Sequence, residues 1–210
     1  MAQGYFYLNK PSITIKPEEE LRFEPFAPEL LAEANGKDIG KTSDLKDYEL
    51  NHLVLRRDGG FLLFAESRRE YSRRNNNFQS SYGSRGPAGW MDLFYEGVVV
   101  IAVQPEGREH WNRVLFKKQF SQDDGGIFSS YFLMKTPSRV KLVFNDEIKN
   151  NNTVSEYLLD PIGRFNRNSL LSTDYQNLKI RFADGIQLSG SEFIAPSEKN
   201  RKLSLVKIAY

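Results

Sequence analysis

Short apolar runs of strand length alternate with turn residues along most of the chain, and this alternation is the strongest signal in the sequence. The first example is an apolar run at 48–55, followed by a polar turn at 56–60 and a second apolar run at 61–66. The turn contains Asp58-Gly59, and an Asp-Gly step between apolar runs favours a hairpin because glycine accepts a positive φ. The pattern therefore predicts two antiparallel strands joined by a tight turn.

The same kind of hairpin recurs twice further along the chain. A second copy is predicted at 130–145, where Pro137 fixes φ for the turn. A third copy is predicted at 178–190, where Asp184-Gly185 supplies the turn. Apolar and polar residues alternate around that last turn, as one buried strand face requires, with the apolar positions at Ile180, Phe182, Ile186 and Leu188.

A second type of hairpin follows the first two copies. It is predicted at 98–116 and again at 154–171, and its turn carries Pro-x-Gly at the same offset in both, ending at Gly107 and Gly163. Each repeat is therefore a pair of hairpins, which makes a four-stranded antiparallel meander.

These units predict an all-β fold of repeated four-stranded antiparallel meanders, β-propeller-like in organisation. The predicted repeats span 48–116, 129–171 and 175–210. An N-terminal segment, 1–47, precedes them with short strands and a minor helix near residues 28–35, which has proline early and glycine after its end. Closed propellers usually have about 4 to 8 blades, so three repeats predict a partial or open array. We therefore expect self-association or assembly with a larger chain.

The last repeat has too few strands to match the others. After its first hairpin only one apolar run remains, at 203–210, and an unpaired edge strand is normally covered. Candidate strands at 5–8 and 12–16 are expected to complete it, as ring closure does in propellers.

Three segments carry a resemblance to a group of uncharacterised bacterial proteins, usually secreted, with propeller-like repeats. They are 55–66, the hairpin at 100–111, and 116–146. The resemblance implies a periplasmic or extracellular location associated with the cell envelope, and it brings no catalytic motif. Such proteins are typically longer and begin with an export signal, which favours the interpretation of this chain as their C-terminal portion.

Composition narrows the chemistry without defining it. The 210 residues carry a formal net charge of +2, which is too small to indicate a nucleic-acid or membrane partner by itself. Cysteine is absent, which excludes disulfides, thiolate nucleophiles and Cys-based metal sites. No apolar run approaches the roughly 20 residues of a membrane-spanning helix, so we expect no transmembrane segment.

Catalytic and cofactor motifs are not recognisable in the sequence. The chain has no phosphate-binding glycine loop and no G-x-S-x-G elbow, and its two histidines, His52 and His110, lie outside any motif. Asp123-Asp124 and Asp146-Glu147 do not match a calcium loop; a turn explains the first pair and a strand end the second. We therefore predict no catalytic residue, metal or cofactor.

The most unusual stretch is a long insertion at 67–96, where a blade needs only a short connection. Arginine interleaved with aromatic residues suits a polyanion, a glycan or a protein hot spot. The alternative is a solvated insertion whose aromatic side chains pack against the neighbouring sheet. The candidate binding residues are Arg68, Arg69, Tyr71, Arg73, Arg74, Phe78, Tyr82 and Trp90.

These observations lead to a non-enzymatic binding or scaffold module of the bacterial cell envelope, whose loops hold a partner. A protein or glycan partner is favoured over nucleic acid. The alternative function is a glycan-acting or other hydrolase with carboxylates gathered where the repeats converge, an analogy that rests on fold alone.

Overall fold

A computed structural model describes residues 2–8, 22–74, 89–146, 153–172 and 178–210. Strands dominate the described chain, as predicted. In the N-terminal half the elements are β1 (Gly4–Tyr7), β2 (Arg22–Pro25), α1 (Pro28–Asn35), β3 (Tyr48–Leu55), β4 (Phe61–Arg74), β5 (Gly89–Val103) and β6 (Glu109–Gln122). They are followed by β7 (Phe132–Lys135), β8 (Val140–Asn145), β9 (Thr153–Leu159), β10 (Phe165–Ser172), a 3-10 turn (Phe182–Asp184), β11 (Ile186–Gln187), β12 (Glu192–Lys199) and β13 (Lys202–Ala209).

The described strands form several separate sheets. Their orders are β1-β2, β3-β4-β5-β6, β7-β8-β9-β10 and β11-β12-β13, so neighbours in a sheet are also neighbours in the sequence. The pairs β3–β4, β7–β8, β8–β9 and β9–β10 are antiparallel. The prediction of a mostly β protein built from antiparallel sheets is confirmed. Within the described chain no sheet closes on itself.

The chain divides into two compact units, each made of two stretches of sequence. Unit 1 comprises Met1–Ser67 and Glu96–Lys117, and unit 2 comprises Arg68–Tyr95 and Lys118–Tyr210. Strands β4, β5 and β6 each begin in one unit and end in the other. The units therefore do not coincide with the predicted repeats.

Each unit has its own apolar core. In unit 1, α1 and the strands bury Leu30, Leu31, Leu45, Val99, Ile101, Val103 and Val114. In unit 2, the rings of Phe132 and Phe193 stack with centroids 4.5 Å apart. The rest of that core is Met134, Val143, Val154, Ile180, Phe182 and Ala195.

The predicted helix is confirmed as α1. Pro28 lies in its first turn, where the missing N–H costs no hydrogen bond. Gly36 follows the last residue with φ of 61° and donates to the Ala32 and Glu33 carbonyls, which ends the helix. Among the described residues no helix is long and apolar enough to cross a membrane.

Three hairpin loops share one hydrogen-bond pattern, which explains the recurring turn signal. Gly59, Gly107 and Gly163 have φ of 89°, 88° and 81°. Each of these glycines donates its N–H to the carbonyl three residues earlier, at Arg56, Gln104 and Asp160. This is the pattern of a three-residue hairpin loop that ends in a left-handed glycine. The predicted turns at 56–60, 104–107 and 160–163 are confirmed.

A side chain at Gly107 would collide with the ring of Tyr7, and this gives a first testable prediction. A Cβ there would lie 2.0 Å from Cδ1 of Tyr7, whose hydroxyl donates to the Pro105 carbonyl. Gly36 is the matched control, because it is also left-handed but has nothing within 4 Å of such a Cβ. Gly36→Ala should cost about 1 to 2 kcal/mol through backbone strain alone. Gly107→Ala should cost about 1 kcal/mol more in thermal unfolding; equal losses would contradict the steric argument.

The third loop predicts an acid-dependent contribution to stability. Asp160 accepts hydrogen bonds from the Ile162 and Arg164 N–H groups and from Arg164 Nε, at 3.1, 2.9 and 2.8 Å. The Arg164 side-chain bond, followed by the backbone bonds, lowers the pKa of Asp160 below its ordinary value. This stabilisation is present above the ordinary value and is lost as pH falls through the lowered pKa. Carboxyl-detected NMR titration should show that lowered pKa, and Arg164→Ala should raise it.

The third predicted hairpin is wrong. Of the predicted strand at 178–182, only Ile180 makes an isolated bridge, to Ser197, and Phe182–Asp184 forms a 3-10 turn. Phe182 is buried, whereas Ile186 is 62% exposed, so the apolar alternation there does not mark one strand face. The real hairpin joins β12 and β13 through Asn200-Arg201, both with positive φ, as a tight two-residue turn requires.

The expected completion of the last repeat is also wrong where the structure describes it. Strand β1, at the predicted 5–8, pairs with β2. Strand β13 pairs with β12 and lies at the edge of its sheet. The other candidate strand, 12–16, lies outside the described residues.

Candidate functional site

The described part of the predicted insertion at 67–96 is regular strand. β4 continues to Arg74 and β5 begins at Gly89, so both apolar hairpin strands are extended into the insertion. The remaining part, 75–88, lies outside the described residues and includes the predicted residues Phe78 and Tyr82. The prediction of an irregular loop is therefore wrong for the described part, because period-2 alternation continues there among polar residues.

The extended strands bring several candidate residues onto one side of unit 2. Tyr71 of β4 contacts Phe94 of β5 edge-on at 5.7 Å between centroids, and Phe94 contacts Phe120 of β6 at 5.0 Å. Residues two apart along a strand share a side, so the neighbours of these rings face the same way. We call this surface the arginine–aromatic face: Arg69, Tyr71, Arg73, Trp90, Asp92, Phe94, Lys118, Phe120 and Gln122.

A buried carboxylate orients one arginine of this face. Asp92 is 1% exposed, and its Oδ2 lies 2.5 Å from Nε of Arg73. Its other oxygen, Oδ1, accepts a hydrogen bond of 3.0 Å from the Gln122 side chain. The Arg73 side chain nevertheless stays 66% exposed. The guanidinium is thus fixed on its inner edge and presented to solvent on its outer edge.

Some aromatic rings of the face are partly buried in the sheet and others are half exposed to solvent. Phe94 is half-buried, and the Arg69 guanidinium lies 6.0 Å from the centroid of its ring. Tyr71 is 50% exposed and Trp90 is 44% exposed. Large aromatic side chains left half in solvent beside arginine are the composition of a recognition surface.

The structure separates Arg68 from this group. Arg68 points to the opposite side of β4, where it pairs with Glu70 at 2.5 Å and lies 5.9 Å from the Tyr95 ring centroid. Arg74 is the last residue of β4. Of the eight predicted residues, the structure brings together Arg69, Tyr71, Arg73 and Trp90.

Sequence reasoning missed Asp92, Phe94 and Phe120. Asp92 and Phe94 fell inside the predicted insertion but were not selected, because their role depends on cross-strand contacts. The available signal was the spacing of Trp90, Asp92 and Phe94, which alternate along β5.

Buried carboxylates elsewhere in the described chain are each held by a cation. Glu66 Oε1 lies 2.5 Å from Lys117 Nζ in unit 1. Glu156 lies 3.5 Å from Lys141 Nζ in unit 2 and also accepts a 2.9 Å hydrogen bond from the Tyr210 hydroxyl. Burial and this bond to Glu156 raise the pKa of Tyr210. The described residues contain no group of three His, Asp or Glu that could hold a metal ion.

Comparisons of the chain with models of known protein families, with curated proteins and with solved structures find no match. The resemblance to secreted proteins with propeller-like repeats therefore stays a prediction.

Proposed function

We propose that this chain is a non-enzymatic binding module and that the arginine–aromatic face is the surface that holds its partner. The observation that carries the proposal is the pair of half-exposed rings, Tyr71 and Trp90, on the same face as a guanidinium held by the buried Asp92. Exposing aromatic rings and fixing an arginine both cost stability, and neither helps the sheet to fold. An arginine that is already held in place loses less entropy when a ligand binds.

Strand positions also support a rigid surface. β5 lies between β4 and β6 and is hydrogen-bonded to both, and β4 is hydrogen-bonded to β5. The side chains of the face therefore project from a hydrogen-bonded platform, although the sequence had led us to expect binding by loops. Sites on strands hold their geometry more closely than sites on loops.

The location and the wider architecture belong to the same proposal. We place the module in the bacterial cell envelope, periplasmic or extracellular, and in a propeller-like array, on the strength of the resemblance of 55–66, 100–111 and 116–146. Assembly with a larger chain would supply the missing repeats.

The double variant Tyr71→Ala/Trp90→Ala tests the face without choosing a ligand class. Purified protein is measured against immobilised neutral polysaccharide, acidic polysaccharide, single-stranded DNA and an acidic peptide. We expect the natural chain to bind at least one of them and the double variant to bind it at least tenfold more weakly, because hot spots concentrate in exposed Tyr, Trp and Arg.

Phe6→Ala is the matched control, because Phe6 is an exposed aromatic residue of β1, outside the face. Circular dichroism verifies that all variants keep their strand content. Unchanged binding by the double variant, or no binding to any member of the panel, would overturn the proposal.

A further inference from the structure

We infer that the ligand of the arginine–aromatic face is an acidic polysaccharide, with its sugar rings against the aromatic side chains and its acid groups on the arginines. This inference rests on the proposed function and narrows it to one class of partner. Three features of the face carry it: the alternation of charge and ring along β4, the sparse positive charge, and the spread of its side chains across three strands.

Cationic and aromatic side chains alternate along β4 in the order Arg69, Tyr71, Arg73. Side chains on one face of a strand repeat about every 6.6 Å, so the two arginines are roughly 13 Å apart with a ring between them. A matching ligand presents apolar surface between two acid groups. The C–H faces of sugar rings supply that surface by dispersion contact with Tyr71 and Trp90, and a carboxylate or sulfate suits the planar guanidinium.

The charge density of the face is low for a nucleic acid. Among its described residues the face carries three cations, Arg69, Arg73 and Lys118, and Arg73 is paired with Asp92. Single-stranded nucleic acid carries one phosphate per nucleotide and requires a groove with many cations. A polysaccharide with one acid group per ring or per pair of rings has a spacing that these few cations can match.

An acidic peptide is disfavoured by the layout of the side chains. Extended peptides bind most often by adding a strand along a sheet edge through main-chain hydrogen bonds. The rings and cations of the face are instead spread across three neighbouring strands, β4, β5 and β6. The aromatic row that crosses the sheet through Tyr71, Phe94 and Phe120 suits a ligand that has rings of its own.

Asp92 acts as a positioning residue in this arrangement, because it fixes Arg73 without being exposed to the ligand. Asp92→Asn keeps the shape and removes the charge that holds the guanidinium. We expect this variant to weaken binding of acidic polysaccharide severalfold while leaving binding of a neutral one unchanged.

The test uses isothermal titration calorimetry of the full chain with oligomers of polygalacturonate, a sulfated polysaccharide, neutral dextran and single-stranded DNA. We expect both acidic polysaccharides to bind and dextran to bind at least tenfold more weakly. The difference in affinity between the two acidic polysaccharides shows whether the face prefers carboxylate or sulfate. The double variant Arg73→Ala/Asp92→Asn avoids leaving a buried carboxylate unpaired, and it should lose about tenfold in affinity, the effect of one good charged contact.

Arg139→Ala is the control, because Arg139 is an exposed arginine in the turn between β7 and β8. It should leave the affinity unchanged. Equal binding of dextran and polygalacturonate would overturn the inference, as would equal loss in the Arg139 variant. DNA binding that exceeds polysaccharide binding and disappears in Tyr71→Ala/Trp90→Ala would overturn the ligand class and leave the proposed function standing. Absence of binding to all four probes would count against the acidic polysaccharide, whereas the proposed function would then depend on the acidic peptide.

Discussion

Lys117→Met is expected to lower the free energy of unfolding of unit 1 by about 3 to 5 kcal/mol, since breaking a buried ion pair leaves an uncompensated charge. Lys117 and Glu66 are both almost fully buried, with 2.5 Å between Nζ and Oε1. Burial lowers the pKa of Lys117, and Glu66 opposes that shift. Methionine fills the volume of lysine but carries no charge, so the Glu66 carboxylate loses its cation, whereas Asn51 still donates to Glu66 Oε2 at 2.8 Å.

Trp111 provides a local measurement of this loss. It is buried in unit 1, whereas the other tryptophan, Trp90, belongs to unit 2. Urea unfolding followed by fluorescence in a Trp90→Phe background therefore reports on unit 1. Lys117→Met/Glu66→Leu should recover most of the loss, because replacing both members of a buried pair by apolar residues is often neutral. A single variant as stable as the double variant would contradict the uncompensated charge of Glu66 as the cause of the loss.

Asn145→Ala is expected to lower the free energy of unfolding by about 4 kcal/mol. The buried Asn145 amide donates to the carbonyls of Phe128 and Ile180 at 2.8 and 2.7 Å. The backbone carbonyl of Asn145 accepts from the Gln119 side chain at 2.8 Å. Gln119 also donates to the Ser130 carbonyl and accepts from the Ser130 N–H. Removing the amide leaves two carbonyls without a donor, and each such buried group costs about 1 to 3 kcal/mol.

Asn166→Ala is the matched control for that substitution, because Asn166 is exposed on β10. Its effect should stay within about 0.5 kcal/mol, as for most surface positions. Thermal unfolding followed by circular dichroism compares the two variants. Hydrogen exchange should also show faster opening of the amides around Ile180 in Asn145→Ala alone. Equal stability of the two variants would contradict the structural role of the network.

Local signals explain which parts of the fold the sequence predicts. The hairpins at 48–66, 98–116 and 154–171 were predicted because each turn depends on a glycine that the sequence shows directly. The hairpin of β12 and β13 was not predicted, and β12 contains Pro196, a residue that is uncommon inside strands. Its turn, Asn200-Arg201, lacks the glycine that marks the others.

The sequence predicted which residue types the candidate site contains, but not which of them share one side of the sheet. Arginine and aromatic residues in one stretch indicated binding, but assigning them to sides required knowing that the strands continue through the insertion. The pairing of Arg73 with Asp92 and of Lys117 with Glu66 depends on how distant strands align. No local pattern encodes that alignment, so the buried carboxylates and the half-buried Phe94 and Phe120 could not be selected in advance.

The passage of β4, β5 and β6 between the units has a consequence for how this chain can be cut or inherited. The backbone crosses the boundary after Ser67, after Tyr95 and after Lys117, so both units are discontinuous in the gene. A single recombination breakpoint cannot transfer either one intact, and no simple truncation isolates one. We expect such a chain to change by substitution and by lengthening of its hairpins. Recombination of whole domains, which is common in proteins built of tandem domains, would break both units.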